Sequence, residues 1–351
     1  METVLPLAVP SNKAVRKAGD ILRTINPSAA DYDEAVDLLS HWRALHSYPI
    51  NTFQAYLRGK IKAARYNSAF VAQRLKRMPT IVNKLQRFPD MQLDRMQDIG
   101  GLRVVLKHKK DVYDLHKNIL SSKRLEHTPE LPPKDYIAEP KADGYRSLHQ
   151  VFKYANKKHP ELNGLRIELQ IRTALQHSWA TAVETLGIVE KSSFKSGEGS
   201  EQFKRFFKVS SALYSLDEDT SILSEYAHMG KELLIKELNE IESELQVRSK
   251  LKGLTISAKH IEQTSKSFAG YHLMELDAAK GKLSLIPFQK AQLDYAEDFY
   301  VMREQATRDN PDISVVLISA GNVRNIKKAY PNYFLDTNSF IKNLDRICGN
   351  L

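Results

Sequence analysis

The chain of 351 residues carries 52 Lys and Arg against 42 Asp and Glu, a net charge of +10, and its 42% hydrophobic content can bury a sizeable core, in about two domains. No apolar run is long enough to cross a membrane, no basic start with an apolar block and cleavage site is present, and the single cysteine, Cys348, excludes an intramolecular disulfide and a cysteine-held zinc cluster. These features point to a cytoplasmic protein whose anionic partner is larger than a mononucleotide, such as RNA.

Residues 1–60 read as a helical leader. Asp31-x-x-Glu34 has the form of a capping box, and Ala35, Leu38, Trp42 and Leu45 share one helical face, a packing stripe without chemistry. Between Asn51 and Pro89 there are nine basic residues and no acidic one. Arg58, Lys60, Lys62 and Arg65 fit a solvated charged face. Arg74, Lys76, Arg77 and Lys84 cluster just ahead of a strand expected over Ile99–Leu106, where a triphosphate would need cations. Asp98 introduces that strand, and the pair Gly100-Gly101 costs strand propensity, which marks a close approach to the backbone.

Asp143-Gly144 signals a turn within Lys134–His149, followed by Tyr145, Arg146 and His149. A tyrosine offered from a glycine turn suits base stacking, and flanking Lys134, Lys141 and Arg146 suit phosphates. In Arg166–Thr173 apolar and polar residues alternate strictly, the period of a half-buried strand. Ile167, Leu169 and Ile171 then face a core, with Arg166, Glu168, Gln170 and Arg172 opposite. That polar row fits either a solvated face with an Arg–Glu–Arg ion pair or a surface for a polyanion and a metal. Asp98 and Glu168, on neighbouring strands, would hold one Mg2+ and leave positions for phosphates.

After about Gly187 the character changes. Lys191–Ser200 reads as a mobile loop, and the following helices include one with Leu234, Leu238, Ile241 and Leu245 on one face. Strands are expected over Tyr271–Leu276 and Lys282–Phe288, then a helix over Gln289–Arg308, a strand over Ile313–Ser319 and two short helices. Tyr330-Pro331-Asn332-Tyr333-Phe334 fits a turn whose aromatics pack inward. No metal-ligand spacing occurs in this part.

Four segments, Arg74–Leu85, Asp98–Arg103, Lys134–His149 and Glu168–Thr173, resemble in content and order the synthetase domain of RelA/SpoT proteins. The resemblance implies an α+β fold, a mixed sheet flanked by helices and akin to nucleotidyltransferases, over residues 61–190. It implies Mg2+-dependent transfer of the β,γ-diphosphate of ATP to a ribose 3′-hydroxyl. Arg74 would stack on adenine, and Lys76, Arg77 and Lys84 would hold the ATP phosphates. Asp98 and Glu168 would bind the metal, with Glu168 also taking the hydroxyl proton. Lys134 and Lys141 would face the acceptor's phosphates, Tyr145 would stack on its base, His149 would orient it, and Gln170 and Arg172 would complete its wall.

Alarmone-making members of the family usually carry Asn and Gln where this chain has Asp143 and Arg146, which adds a phosphate-binding group and weakens the case for a free GDP or GTP acceptor. No His-Asp dipeptide of the family's hydrolase domain occurs. A connector over 191–254 and a smaller α/β regulatory module over 255–351 complete a layout that resembles CapRel proteins, fused toxin–antitoxins. There a Tyr-x-x-Tyr motif, matched by Tyr330 and Tyr333, blocks the ATP site until a phage capsid protein binds, and the acceptor is the 3′ end of tRNA. The resemblance thus implies an autoinhibited, translation-blocking toxin of anti-phage defence, with neither DNA nor membrane as partner. The alternatives are a stand-alone synthetase acting on GDP or GTP, and an inactive nucleotide- or RNA-binding module. The intact pair Asp98 and Glu168 argues against the last.

Overall fold

Alternation of side chains along Arg166–Thr173 places that strand at the centre of a five-stranded sheet. In the computed structural model the described residues are 9–24, 27–189, 201–251, 270–277, 280, 282–307, 310, 313–320 and 337–349. The loop expected over Lys191–Ser200 and the tyrosines Tyr330 and Tyr333 lie outside them. The strands are β1 (Phe70–Leu75), β2 (Gly100–Leu106), β3 (Thr128–Asp135), β4 (Leu148–Lys153) and β5 (Arg166–Thr173). Their order is β1-β2-β5-β4-β3, antiparallel except for the β2–β5 pair.

One face of this mixed sheet is apolar. Leu102, Val104, Ile167, Leu169 and Ile171 share a core with α1 (Asn12–Arg23), α2 (Ala29–Ala44), α3 (Ser47–Ala63), α4 (Met78–Arg87) and α5 (Lys109–Leu120). The leader helices are therefore part of that core, with Val15, Leu22, Leu39, Phe53 and Leu57 fully buried in it. Helix α2 starts earlier than the expected capping box. Ser28 is its N-cap, accepting from the Asp31 amide at 3.1 Å, and its hydroxyl donates to the Asp31 carboxylate at 2.6 Å.

The close approach expected at the glycine pair is made by the protein itself. A side chain at Gly100 would lie 3.1 Å from Ile50 Cγ2 and 3.2 Å from His46 Cβ, at the corner between α2 and α3. His46 is buried there, paired through Nδ1 with the Trp42 carbonyl at 2.9 Å. Burial, with Arg43 nearby, lowers its pKa to about 4. Because the folded value lies below the unfolded one, this histidine favours folding above about pH 6.5, and that contribution is lost as pH falls towards 4. Between pH 7 and 5 the chain should lose about 2 kcal/mol of stability on this account. Equilibrium unfolding of the wild type and His46→Gln at both pH values checks this, since the variant should lack that part of the slope.

The other face is polar, and helices cover one end of it. Helix α6 (Ala174–Val189) packs with α7 (Glu201–Glu218) and α8 (Lys231–Leu245) in a second core containing Trp179, Phe206, Phe207, Leu234 and Leu238. A three-stranded antiparallel sheet follows, ordered β7-β6-β8, from β6 (Gly270–Asp277), β7 (Lys282–Gln289) and β8 (Ile313–Ala320). Helix α9 (Leu293–Ala306) covers it through Ala296 and Tyr300, and β8 packs beside β1. The expected strands thus form, while the expected helix begins as a 3-10 turn over Lys290–Gln292.

Of the two short helices expected after β8, one lies among the described residues, α10 (Asn338–Cys348). It does not join the second sheet. Phe340, Ile341, Leu344 and Ile347 pack into the α6–α8 core, and the Tyr214 hydroxyl donates to the Phe340 carbonyl at 3.0 Å. The stretch from 255 onward therefore contributes to two different cores. No helix among the described residues is long and apolar enough to cross a membrane.

Candidate active site

Strand register sets the floor of the site. Arg74 of β1, Gly101 of β2 and Glu168 of β5 lie on one rung of the polar face. Ala72, Arg103, Gln170, His149 and Lys134 form the next, across all five strands. At Gly101 a Cβ would meet only the Arg74 carbonyl, at 3.6 Å. The floor between Arg74 and Glu168 is thus bare backbone, open to a ligand.

Asp98 stands at the entrance to β2. Its two oxygens accept from Lys76 Nζ at 2.6 Å and Lys84 Nζ at 2.9 Å. Burial pushes this carboxyl up, but the two ammonium groups outweigh burial and hold it well below the usual carboxylate range. Lys76 is itself buried, which lowers its pKa despite Asp98.

Glu168 accepts from His149 Nδ1 at 3.0 Å and from Gln170 Nε2 at 2.8 Å. Burial raises its pKa, His149 more than compensates, and the result is about 2. Asp98 acts on it in the raising direction, so the two carboxylates feel each other's charge. Two ionised, mutually repelling hard oxygen donors suit Mg2+, which takes one or two carboxylates and leaves positions for water and phosphate. Among the described residues no group of three or more His, Cys, Asp or Glu forms a complete protein cage.

The polar row of β5 resolves into separate roles. Arg166 pairs with Glu130 of β3 at 2.9 Å, and Arg172 donates to His177 of α6 at 2.5 Å. Glu168 is bound to neither, so the Arg–Glu–Arg ion pair does not form. Arg172 was expected in an acceptor wall, but it is buried beneath α6. Burial, then the neighbouring Arg103, lowers its pKa to about 9.

Arg146 departs further from expectation. It is buried, and its guanidinium donates to the carbonyls of Gly144 at 3.3 Å, Ser211 at 3.0 Å and Ser221 at 3.1 Å, and to the Ser211 hydroxyl. It ties the turn to α7, and its Nε, which has no partner among the described residues, is buried as well. Asp143 serves the same turn, its Oδ1 accepting from the Tyr145 amide at 2.9 Å. Gly144 has φ +93°, and a Cβ there would come within 3.0 Å of Ser211 and 3.2 Å of Trp179. Both departures from the family pattern therefore anchor a loop.

Tyr145 is also enclosed, at 7% exposure. Its hydroxyl pairs with His149 Nε2 at 2.9 Å, and Lys141 Nζ sits 5.1 Å from its ring centre. The ring expected to receive a base is thus covered. The less buried aromatic is Tyr136, with Lys141 Nζ 4.5 Å from its centre and His149 edge-on at 5.1 Å. Lys134 is exposed, its Nζ 3.4 Å from Gln97 Oε1. Arg77 is the N-cap residue of α4.

Two residues of the floor went unassigned in the sequence. Arg103 shares a rung with Gln170, and its buried Nε has no hydrogen-bond partner among the described residues. The alternation of Gly101, Arg103 and Val105 carried the signal. Tyr136 had none beyond its place between Lys134 and Lys141.

Residues 73–198 match the family model described as the region found in RelA/SpoT proteins. The chain is 33% identical over 155 residues to GTP pyrophosphokinase YjbM of Bacillus subtilis, covering 43% of this chain and 70% of that protein. It is also 33% identical over 114 residues to GTP pyrophosphokinase YwaC of the same organism, spanning 31% of this chain and 52% of YwaC. The solved structure of small alarmone synthetase 1 from Bacillus subtilis bound to its product pppGpp aligns at 27% identity with a TM-score of 0.44, covering 50% of this chain and 90% of that one.

Proposed function

The chain belongs to the RelA/SpoT family and is an ATP-dependent pyrophosphokinase of that type, and we propose that it moves the β,γ-diphosphate of ATP onto the 3′-hydroxyl at the 3′ end of tRNA. In that transfer the 3′-oxygen attacks the β-phosphorus, the bond from that phosphorus to the α,β-bridging oxygen breaks, and AMP leaves. Asp98 and Glu168 would hold Mg2+, which when bound neutralises charge on the triphosphate. Lys76 and Lys84, now on Asp98, are placed to turn towards the phosphates, and Arg74 and Arg103 line the same floor. Glu168, ionised throughout the neutral range, accepts the hydroxyl's hydrogen bond and aims its oxygen. As the oxygen bonds to phosphorus Glu168 takes the hydroxyl's proton, and with its pKa near 2 it passes that proton on to solvent without storing it.

The observation that carries the tRNA acceptor is the charge left outside the cleft. Arg58, Lys62 and Arg65 are exposed, and the net charge is +10. A mononucleotide needs no more cations than the floor supplies, whereas a polyanion uses surface charge as well. The second reading, GDP or GTP as acceptor, is favoured by the relatives named GTP pyrophosphokinases. Incubating the protein with γ-labelled ATP and, separately, GDP, GTP and deacylated tRNA decides between them. Label in the tRNA band supports the first reading, and label confined to guanosine nucleotides overturns it.

The toxic, self-restrained form of this activity rests on Tyr330 and Tyr333. In the full chain, Tyr330→Ala with Tyr333→Ala should raise basal transfer about tenfold or more, as loss of interface tyrosines commonly releases a docked element. Unchanged basal turnover and unchanged growth inhibition on expression would remove self-restraint from the proposal.

A further inference from the structure

The second sheet meets the donor side of the cleft through one buried polar node. Glu304 of α9 accepts from Arg43 Nη1 of α2 at 2.5 Å, and its other oxygen accepts from the Met78 amide at 3.1 Å. The Tyr300 hydroxyl accepts from Arg43 Nη2 at 2.5 Å and donates to Glu304 at 3.2 Å. Arg43 Nε completes the set by donating to the Lys76 carbonyl at 2.9 Å. Arg43, Tyr300 and Glu304 are 1%, 3% and 7% exposed. The backbone on both sides of Arg77 is thus clamped by an ion pair with one member in each half of the chain.

A buried ion pair is weak evidence of stabilisation, because desolvation offsets most of the attraction. This one does something apolar residues could not. Glu304 satisfies a free amide in the first turn of α4, and Arg43 fixes the carbonyl of the residue whose ammonium sits on Asp98. Arg43 and Glu304 cancel in charge, so the node holds position without adding a net field against a polyanion.

We infer that Glu304 is a positioning residue for the triphosphate: acting through Arg43 and the Met78 amide, it holds the Lys76–Met78 segment and α4 in the arrangement that receives the phosphates. The inference rests on the pyrophosphokinase reading of the cleft. It makes high ATP affinity depend on docking of the second sheet, a contribution opposite in sign to restraint by Tyr330 and Tyr333.

The test uses the full chain and calorimetric binding of α,β-methylene-ATP with Mg2+, which needs neither acceptor nor turnover. Glu304→Gln should weaken that binding roughly tenfold, within the usual range of coupling between sites. In transfer assays KM for ATP should rise by a similar factor, with KM for the acceptor within about twofold of wild type, a split that general destabilisation does not produce. Tyr300→Phe removes one hydroxyl from the node and keeps the charges. It should weaken analogue binding about threefold, and serves should Glu304→Gln fold poorly. A folded Glu304→Gln or Tyr300→Phe that binds the analogue as tightly as wild type, or more tightly, overturns the inference. Should the wild-type chain bind too weakly to measure, the same comparison is made in the Tyr330→Ala, Tyr333→Ala background, and no binding there either overturns the site reading along with the inference.

Discussion

Glu168→Gln is expected to lower diphosphate transfer by roughly 10²–10⁴-fold with every acceptor, while the chain still unfolds cooperatively. The amide keeps the size and one acceptor oxygen, so His149 Nδ1 can still donate to it. What disappears is one of two neighbouring negative charges, those of Asp98 and Glu168, and the strong acceptor proposed to aim the hydroxyl. The fold should survive the change because the amide keeps the hydrogen-bond geometry, although the ionic contribution of the carboxylate to stability is lost. The wild-type carboxyl has a folded pKa below its unfolded one. Its ionic interactions therefore stabilise the protein above the ordinary carboxylate range and are lost as pH falls towards about 2. The Gln variant should be correspondingly less acid-sensitive. Wild-type transfer rates in the variant would remove Glu168 from the chemistry.

Tyr145 should be more sensitive to loss of its hydroxyl than a stacking platform would be. Tyr145→Phe leaves His149 Nε2 without its partner inside a buried cluster, at a cost of about 1–3 kcal/mol. It also frees the imidazole that holds Glu168, so transfer should fall although the ring remains. Tyr145→Ala removes a buried aromatic packed with the α6–α7 core and should cost about 3–5 kcal/mol in stability. Melting curves and transfer rates for both variants decide the matter. Full activity in Tyr145→Phe would show that the ring alone matters and would restore the expected stacking role.

Short-range pattern made much of the first sheet legible. The alternation in Arg166–Thr173 marks a strand with those bounds, and Asp98 with Gly100-Gly101 marks the entry to its parallel neighbour. Once those two strands lie side by side, Glu168 pairs with Gly101, three residues after Asp98, and the two carboxylates feel each other's charge. The sequence could not show what α6 and α7 do afterwards. They fold over one end of the polar face and turn Arg172, Arg146 and Tyr145, each plausible as a ligand contact, into buried supports. Nothing local distinguishes an arginine that meets phosphate from one that meets three carbonyls. The Arg43–Glu304 pair is 261 positions apart and carries no periodic signal in either helix. The amphipathic stripe of α10 was equally silent about which of two cores it would enter.

Helix α10 comes after the second sheet in the chain and yet completes the core of α6, α7 and α8. During synthesis Phe340, Ile341, Leu344 and Ile347 emerge only once β6, β7, α9 and β8 have left the ribosome. Until then Phe206, Phe207 and Tyr214 lack the ring of Phe340 that packs against them. Translation order therefore leaves no interval in which a finished catalytic half exists before the part that docks on it has been made.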